Sequence, residues 1–214
     1  MERDAGTGTV AGLLLAAGGG RRLGGRPKAL LEYGGRPLVE HAARALRTGG
    51  CGPVHIVLGA AAARVREQAA LDDYAVTVNP HWAQGMGSSL RAGLEALAAT
   101  GAPAVVVTLV DQPGIGATAV ARVAAAYASP RTLAAATYGG RRGHPVLLGA
   151  AHWSAVAARA VGDQGARSYL RRHEAEIALV ECGDVAVPAD IDTPDDLRLL
   201  ADPPQPPAPG TTQR

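Results

Sequence analysis

One stretch constrains this chain more than any other: Leu14-Leu15-Ala16-Ala17-Gly18-Gly19-Gly20-Arg21-Arg22-Leu23-Gly24-Gly25-Arg26-Pro27-Lys28. A short apolar run, Val10 to Ala17, leads directly into glycines, then arginines, then a lysine. Such a run reads as a buried strand. Glycines at its end leave backbone N–H groups free to face an anion. Arg22 and Lys28 add fixed positive charge. The pattern describes a cradle for a polyphosphate; the alternative is a glycine-rich surface turn. Two other phosphate motifs fail on spelling. A P-loop requires Lys-Ser or Lys-Thr, and neither occurs. A dinucleotide fingerprint needs a third glycine where Leu23 stands.

Composition narrows the partners. The chain has 214 residues, of which 47% are hydrophobic, 3% are aromatic and none is Phe. The core must therefore be built from Leu, Val and Ala, and there is no aromatic platform for single-stranded nucleic acid. A net charge of +2 implies no polyanionic macromolecular partner. The dense cationic cluster, Arg21, Arg22, Arg26 and Lys28, lies in the glycine loop itself. Cys51 and Cys182 lack metal-ligand spacing and read as buried thiols in a reducing cytosol. No apolar run approaches the ~20 residues of a membrane helix, and residues 1–9 do not read as a signal peptide. A cytoplasmic protein without a membrane partner is expected. The histidines show no HExxH spacing, and Gly-x-Ser-x-Gly is absent, so zinc and serine-hydrolase readings drop out.

Apolar runs alternate with helical patterns along the chain. Strands are expected over Val10–Ala17, Val54–Leu58, Ala75–Val78, Ala104–Val110, Leu133–Thr137, Val146–Leu148 and Ile177–Val180. Helices are expected over Pro37–Arg47, Ala60–Ala70, Ser88–Ala99, Thr118–Ala128, Ala150–Ala160, Ala166–His173 and Thr193–Leu200. This alternation predicts an α/β fold: a single three-layer α/β/α domain with a mostly parallel, Rossmann-like sheet over residues 10–201. Residues 1–9 read as a flexible N-terminus and 202–214 as a disordered Pro-rich tail. Ligands of such sheets bind beyond the carboxyl ends of the strands.

Several loops at those ends carry chemistry. Asp111-Gln112-Pro113 follows the strand from Ala104. Its carboxylate is placed to hold Mg²⁺ over the sheet, although an Asp in a turn can also bond its own backbone. In Asp190-Ile191-Asp192-Thr193-Pro194-Asp195-Asp196, Thr193 reads as an N-cap, Pro194 as the first helical residue, and Asp195 and Asp196 as first-turn acids. Asp192 precedes the cap and has no structural need to be acidic; Asp190 competes with it. Asn79-Pro80-His81-Trp82-Ala83-Gln84-Gly85-Met86-Gly87-Ser88 offers a glycine-lined helix start, with Ser88 as its cap. Gly143-His144-Pro145 is either a turn or a contact to substrate. Asp163 and Arg167 either pair with each other or serve a second substrate.

Together these segments resemble the nucleotidyltransferases of molybdenum cofactor biosynthesis, and most closely the molybdenum cofactor cytidylyltransferases. The resemblance spans about residues 10 to 200, with Leu23 where Met is common and an extra Arg21 before Arg22. It implies nucleotide contacts from Leu15, Ala16, Ala17, Gly18, Gly20, Arg22, Lys28, Asn79, Ser88 and Asp111. It implies a Mg²⁺ site on Asp111 and Asp192, and catalytic roles for Lys28, Arg22 and Asp111. His144, Asp163 and Arg167 would contact the acceptor. Ala16-Ala17-Gly18, rather than Ala-Gly-Gly, resembles the cytidylyl-transferring branch. That implies CTP as donor, the phosphate of a molybdopterin-type cofactor as acceptor, and a molybdenum hydroxylase as partner. Some members of this group are described as NAD(P)H-dependent nicotine blue oxidoreductases, a rival for which no flavin or hydride site is legible. A non-catalytic cofactor-handling module is the third possibility; it would have no use for a metal pair.

Overall fold

The computed structural model describes residues 9–201. The Pro-rich tail and residues 1–8 of the expected flexible N-terminus lie outside them. Strand β1 (Ala11–Ala16) is followed by a small hairpin, β2 (Glu32–Tyr33) and β3 (Arg36–Pro37), and by helix α1 (Leu38–Thr48). Next come β4 (Val54–Leu58), α2 (Ala62–Gln68), β5 (Ala75–Val78), α3 (Met86–Ala98), β6 (Ala104–Leu109) and α4 (Ala117–Ala125). The second half holds β7 (Leu133–Tyr138), β8 (Arg141–Gly149), α5 (Ala150–Arg159), α6 (Arg167–Arg172), β9 (Ile177–Glu181) and α7 (Arg198–Ala201).

Seven strands form one sheet in the order β5-β4-β1-β6-β8-β7-β9. All neighbours are parallel except the pairs made by β8, which runs against both β6 and β7. Side chains of β1 alternate between two cores. Leu14 and Ala16 join Leu38 and Leu46 of α1 and Val120 of α4. Leu13 and Leu15 join Leu90, Leu94 and Leu97 of α3 and Trp153 of α5. Every residue of β1, β4 and β6 is buried, which is what helices on both faces of a parallel sheet require. The expected three-layer α/β/α domain is the fold observed. Among the described residues, no helix is long and apolar enough to cross a membrane. Cys51 and Cys182 are free and buried.

Three local expectations need correction. The strand expected over Val146–Leu148 is three times as long, because its first half is polar. Arg141 and Arg142 are exposed, and the strand turns back from β7 through Gly139 and Gly140, both at positive φ (57° and 77°). Ser88 does not cap a helix: α3 begins at Met86, and Ser88 sits in its first turn, donating to the Gly85 and His81 carbonyl oxygens. The final helix breaks in two, a 3-10 turn over Pro194–Leu197 and then α7, behind the expected Thr193 cap.

Candidate active site

The parallel strands β1, β4 and β6 end on one edge of the sheet, and the loops beyond them converge there. The loop after β1 is tightly folded. Gly20 adopts φ +60°, and a Cβ there would lie 1.9 Å from the Arg26 carbonyl oxygen. The Gly20 carbonyl accepts from the amides of Leu23 (2.8 Å) and Gly25 (3.0 Å). Leu23 is buried beneath the loop, and Ala29 anchors the 3-10 turn Lys28–Leu30. These anchors carry Lys28 to the end of the sheet.

There its ammonium meets two carboxylates. Lys28 Nζ lies 2.6 Å from Asp111 Oδ2 and 2.5 Å from Asp192 Oδ1. The Lys28 side chain is only 13% exposed. Burial works against its charge, but the two carboxylates outweigh burial and raise its pKa above the ordinary lysine value. Arg22 approaches the other oxygen of Asp192 at 3.9 Å from an exposed position.

Backbone bonds hold both carboxylates in place. The Val110 amide donates to the Leu15 carbonyl, which carries the β1–β6 ladder to the residue before Asp111. The Ile191 amide donates to the Asp111 carbonyl at 2.9 Å, laying the segment of Asp192 against it. Asp196 was read from the sequence as a helix-turn acid alone. Its Oδ2 accepts from the Asp192 amide, the Thr193 amide and the Thr193 hydroxyl, so it also fixes the Asp192 backbone. Asp190, the competitor, turns away to accept from Gln112 Nε2 at 2.8 Å.

The donor set suits a hard divalent cation. Two carboxylates converge on one cationic centre, and Mg²⁺ is commonly held by one or two carboxylates with substrate phosphates. Among the described residues, no group of three or more His, Cys, Asp or Glu could cage a metal without such help.

A cavity of about 580 Å³ opens in front of this cluster. Leu15, Ala17, Gly18, Gly20, Arg22 and Lys28 line it on one side, and Asp163 and Arg167 on another. The loop Trp82–Met86 forms a further wall. That wall comes close because two glycines permit it. A Cβ on Gly85 would lie 2.5 Å from the Gly162 carbonyl carbon, and one on Gly87 2.5 Å from Ala160.

Not every expected nucleotide contact reaches the cavity. Ala16 is buried in the core. Asn79 is 3% exposed; its Nδ2 donates to Ser88 Oγ (2.8 Å) and Ser89 Oγ (3.0 Å), and its Oδ1 accepts from the His81 amide. Asn79 and Ser88 therefore tie the loop to α3, while Ser89 lines the cavity in their place.

A second cleft, about 590 Å³, adjoins the first through Leu15, Met86 and Arg167. His144 lines it, half-buried, its carbonyl accepting from the Tyr138 hydroxyl at 2.6 Å. Burial, aided by Arg167, pushes the pKa of its imidazole down to about 4, so the ring is neutral at pH 7. His144 thus stands apart from the carboxylate cluster, and Arg167 lies where the two clefts meet.

Residues 12–177 match the MobA-like NTP transferase domain. The chain belongs to this family. It is 45% identical over 199 residues to the nicotine blue oxidoreductase of Paenarthrobacter nicotinovorans, covering 89% of this chain and 96% of that protein. It is 42% identical over 102 residues to the molybdenum cofactor guanylyltransferase of Cereibacter sphaeroides, covering 48% and 50% of the two chains. Among solved structures it resembles a homologue of Mycobacterium tuberculosis rv0371c from Mycobacterium sp. strain JC1. The identity is 34% and the TM-score 0.76, with 90% of this chain and 95% of the other covered. Rv0371c of M. tuberculosis H37Rv, in a structure described as a manganese complex, is 28% identical with a TM-score of 0.73, covering 91% and 99%. This MobA-like domain therefore has the nucleotidyltransferase fold and a relative solved with a divalent metal.

The glycine loop makes one prediction independent of substrate. Gly20→Ala places a methyl group against the Arg26 carbonyl in a backbone conformation that disfavours a side chain. The variant should lose about 1–3 kcal/mol in urea denaturation. An unchanged unfolding midpoint would show that the loop relaxes freely and is not fixed as described.

Proposed function

We propose that this protein transfers a nucleotidyl group, CMP from CTP, to a phosphomonoester acceptor of the molybdopterin type and releases pyrophosphate. The observation that carries the reading is the pair of carboxylates, Asp111 and Asp192, gathered around Lys28 beside a glycine loop. Neither a plain binding module nor a hydride-transfer site has a use for that pair. In the reaction, an oxygen of the acceptor's phosphate attacks the α-phosphorus of CTP. A new P–O–P link forms, and the bond to the β-phosphate breaks. The attacking phosphate is largely dianionic at neutral pH, since its second pKa is about 6. No general base is required, and catalysis reduces to alignment and charge neutralisation.

Each residue has a place in this scheme. The backbone N–H groups of Gly18 to Gly20, with Arg22, receive the triphosphate. Lys28 follows charge as it accumulates on pyrophosphate. Asp111 and Asp192 would hold Mg²⁺, which would supply neutralisation of the phosphates' charge. Ala17 and Leu15 border the space for the base. Arg167, with His144 and Asp163, meets the acceptor. A molybdenum hydroxylase would receive the product in the cytoplasm.

The 45% identity to a nicotine blue oxidoreductase favours a second reading, NAD(P)H-dependent reduction. A glycine loop also suits a dinucleotide's pyrophosphate. Two carboxylates at the same spot, however, suit a metal-bound triphosphate and give hydride transfer nothing. Flavin absorbance in the purified protein, or NADPH oxidation without NTP, would support the second reading.

Two variants test the first. Asp111→Asn keeps the size of the side chain and removes its charge, so CTP turnover should fall at least ~100-fold in a protein that stays folded by circular dichroism. Near wild-type turnover at saturating Mg²⁺ would end the metal assignment. Base choice is tested at Ala17, whose carbonyl accepts from the Ala60 amide at 3.1 Å. Ala17→Gly frees this backbone, and the CTP-to-GTP ratio of kcat/KM should drop by roughly tenfold. An unchanged ratio, or a wild type indifferent to the base, would leave nucleotidyl transfer standing without the cytidylyl specificity.

A further inference from the structure

The residue after Asp111 is unexplained by the nucleotide site. Gln112 is only 8% exposed, yet its side chain turns away from the carboxylate cluster and lines the second cleft. Its Nε2 donates to Asp190 Oδ1 at 2.8 Å. Its Oε1 is buried with no hydrogen-bond partner. A carboxylate accepts and does not donate, so Asp190 fixes which end of the carboxamide is left over. The main chain here is rigid: the Ile115 amide donates to the Gln112 carbonyl at 3.1 Å, and a Cβ on Gly114 would lie 2.4 Å from the Val187 carbonyl oxygen. Folded proteins leave few buried acceptors unpaired, and such a group beside a cleft is suited to a donor brought by a ligand.

The rest of the cleft describes that ligand. Its floor is apolar, from Leu15, Leu90, Val107, Val146, Leu148 and Leu170. Four arginines (141, 142, 167 and 171) line it against one acid, Asp190. Among the described residues, Arg142 is the one of the four in an ion pair, with Glu174 at 3.4 Å. The site therefore favours a molecule with an apolar body and an anionic group, and Arg167 places that group beside the first cavity.

We propose that Gln112, oriented by Asp190, selects the acceptor by taking a hydrogen bond at Oε1 from an N–H that the acceptor's body presents. The inference rests on the second cleft being the acceptor site. It adds the residue that reads an N–H donor on the acceptor's body.

The test uses 6-(phosphooxymethyl)pterin and its ring N-methylated analogue, titrated by pterin fluorescence against the full chain. Wild type should bind the N–H form about tenfold more tightly than the methylated form. Gln112→Met, which keeps length but removes the acceptor, should bind both at the weaker level, with CTP affinity unchanged. Asp190→Asn, which leaves Gln112 in place, should narrow the preference without abolishing it. Wild type binding both forms alike, or Gln112→Met keeping the wild-type preference, would overturn the role of Gln112 while the acceptor site survives. Wild type binding neither form would remove the acceptor reading and this inference together.

Discussion

The site depends on one interaction: the Lys28 ammonium held between Asp111 and Asp192 at 2.6 and 2.5 Å. The three residues are far apart in the chain and arrive on separate supports. A glycine knot delivers Lys28, the end of β6 delivers Asp111, and a capped turn delivers Asp192. Two carboxylates brought this close repel each other unless a cation sits between them. Lysine supplies that charge on a flexible stem, as a compact point charge with movable donors. The folded chain therefore stores an anionic pair next to a phosphate-sized cradle.

Two close approaches give the site its walls. Without side chains on Gly85 and Gly87, the loop after β5 lies against residues 160–163. Residues of both segments, Trp82–Met86 with Asp163 and Arg167, line the first cavity together with Lys28. The turn at Asp111-Gln112-Pro113 then divides the chemistry. One side chain joins the charged cluster and the next enters the neighbouring cleft. The antiparallel strand β8 supplies the far wall of that cleft, so the one strand that breaks the parallel pattern borders the second binding space.

Much of this was legible in the residues. Val54–Leu58 and Ala75–Val78 are strands with the bounds read from their runs of β-branched and apolar residues, the first buried inside the sheet and the second at its edge, with no residue of it buried. Lys28 and Asp111 could be nominated because strand-end loops in α/β folds gather ligands, whereas Asp192 was nominated through the family resemblance. Other features were hidden for physical reasons. The polar half of β8 carries Arg141 and Arg142 because one side of it faces an open cleft, so no apolar run marked it. The β2–β3 hairpin was missed, although Gly34-Gly35 at positive φ is a recognisable two-residue turn. Asn79 and Ser88 looked like ligand contacts, yet both are consumed by loop-to-helix bonds. A polar side chain that shapes a loop and one that faces a substrate are the same letters. Gln112 shows the converse, since an unpaired Oε1 is visible only once the surrounding atoms are in place.

The central claim is that Lys28, Asp111, Asp192 and the glycine loop form one metal–triphosphate site. It is tested most directly by Mn²⁺ titration, read by electron paramagnetic resonance, with and without the non-hydrolysable α,β-methylene analogue of CTP. The account predicts that the analogue tightens Mn²⁺ binding by roughly tenfold or more, within the usual range of coupling between two ligands. It also predicts that Asp111→Asn abolishes this tightening. Mn²⁺ that binds the variant as it binds wild type, or that ignores the triphosphate, would contradict it.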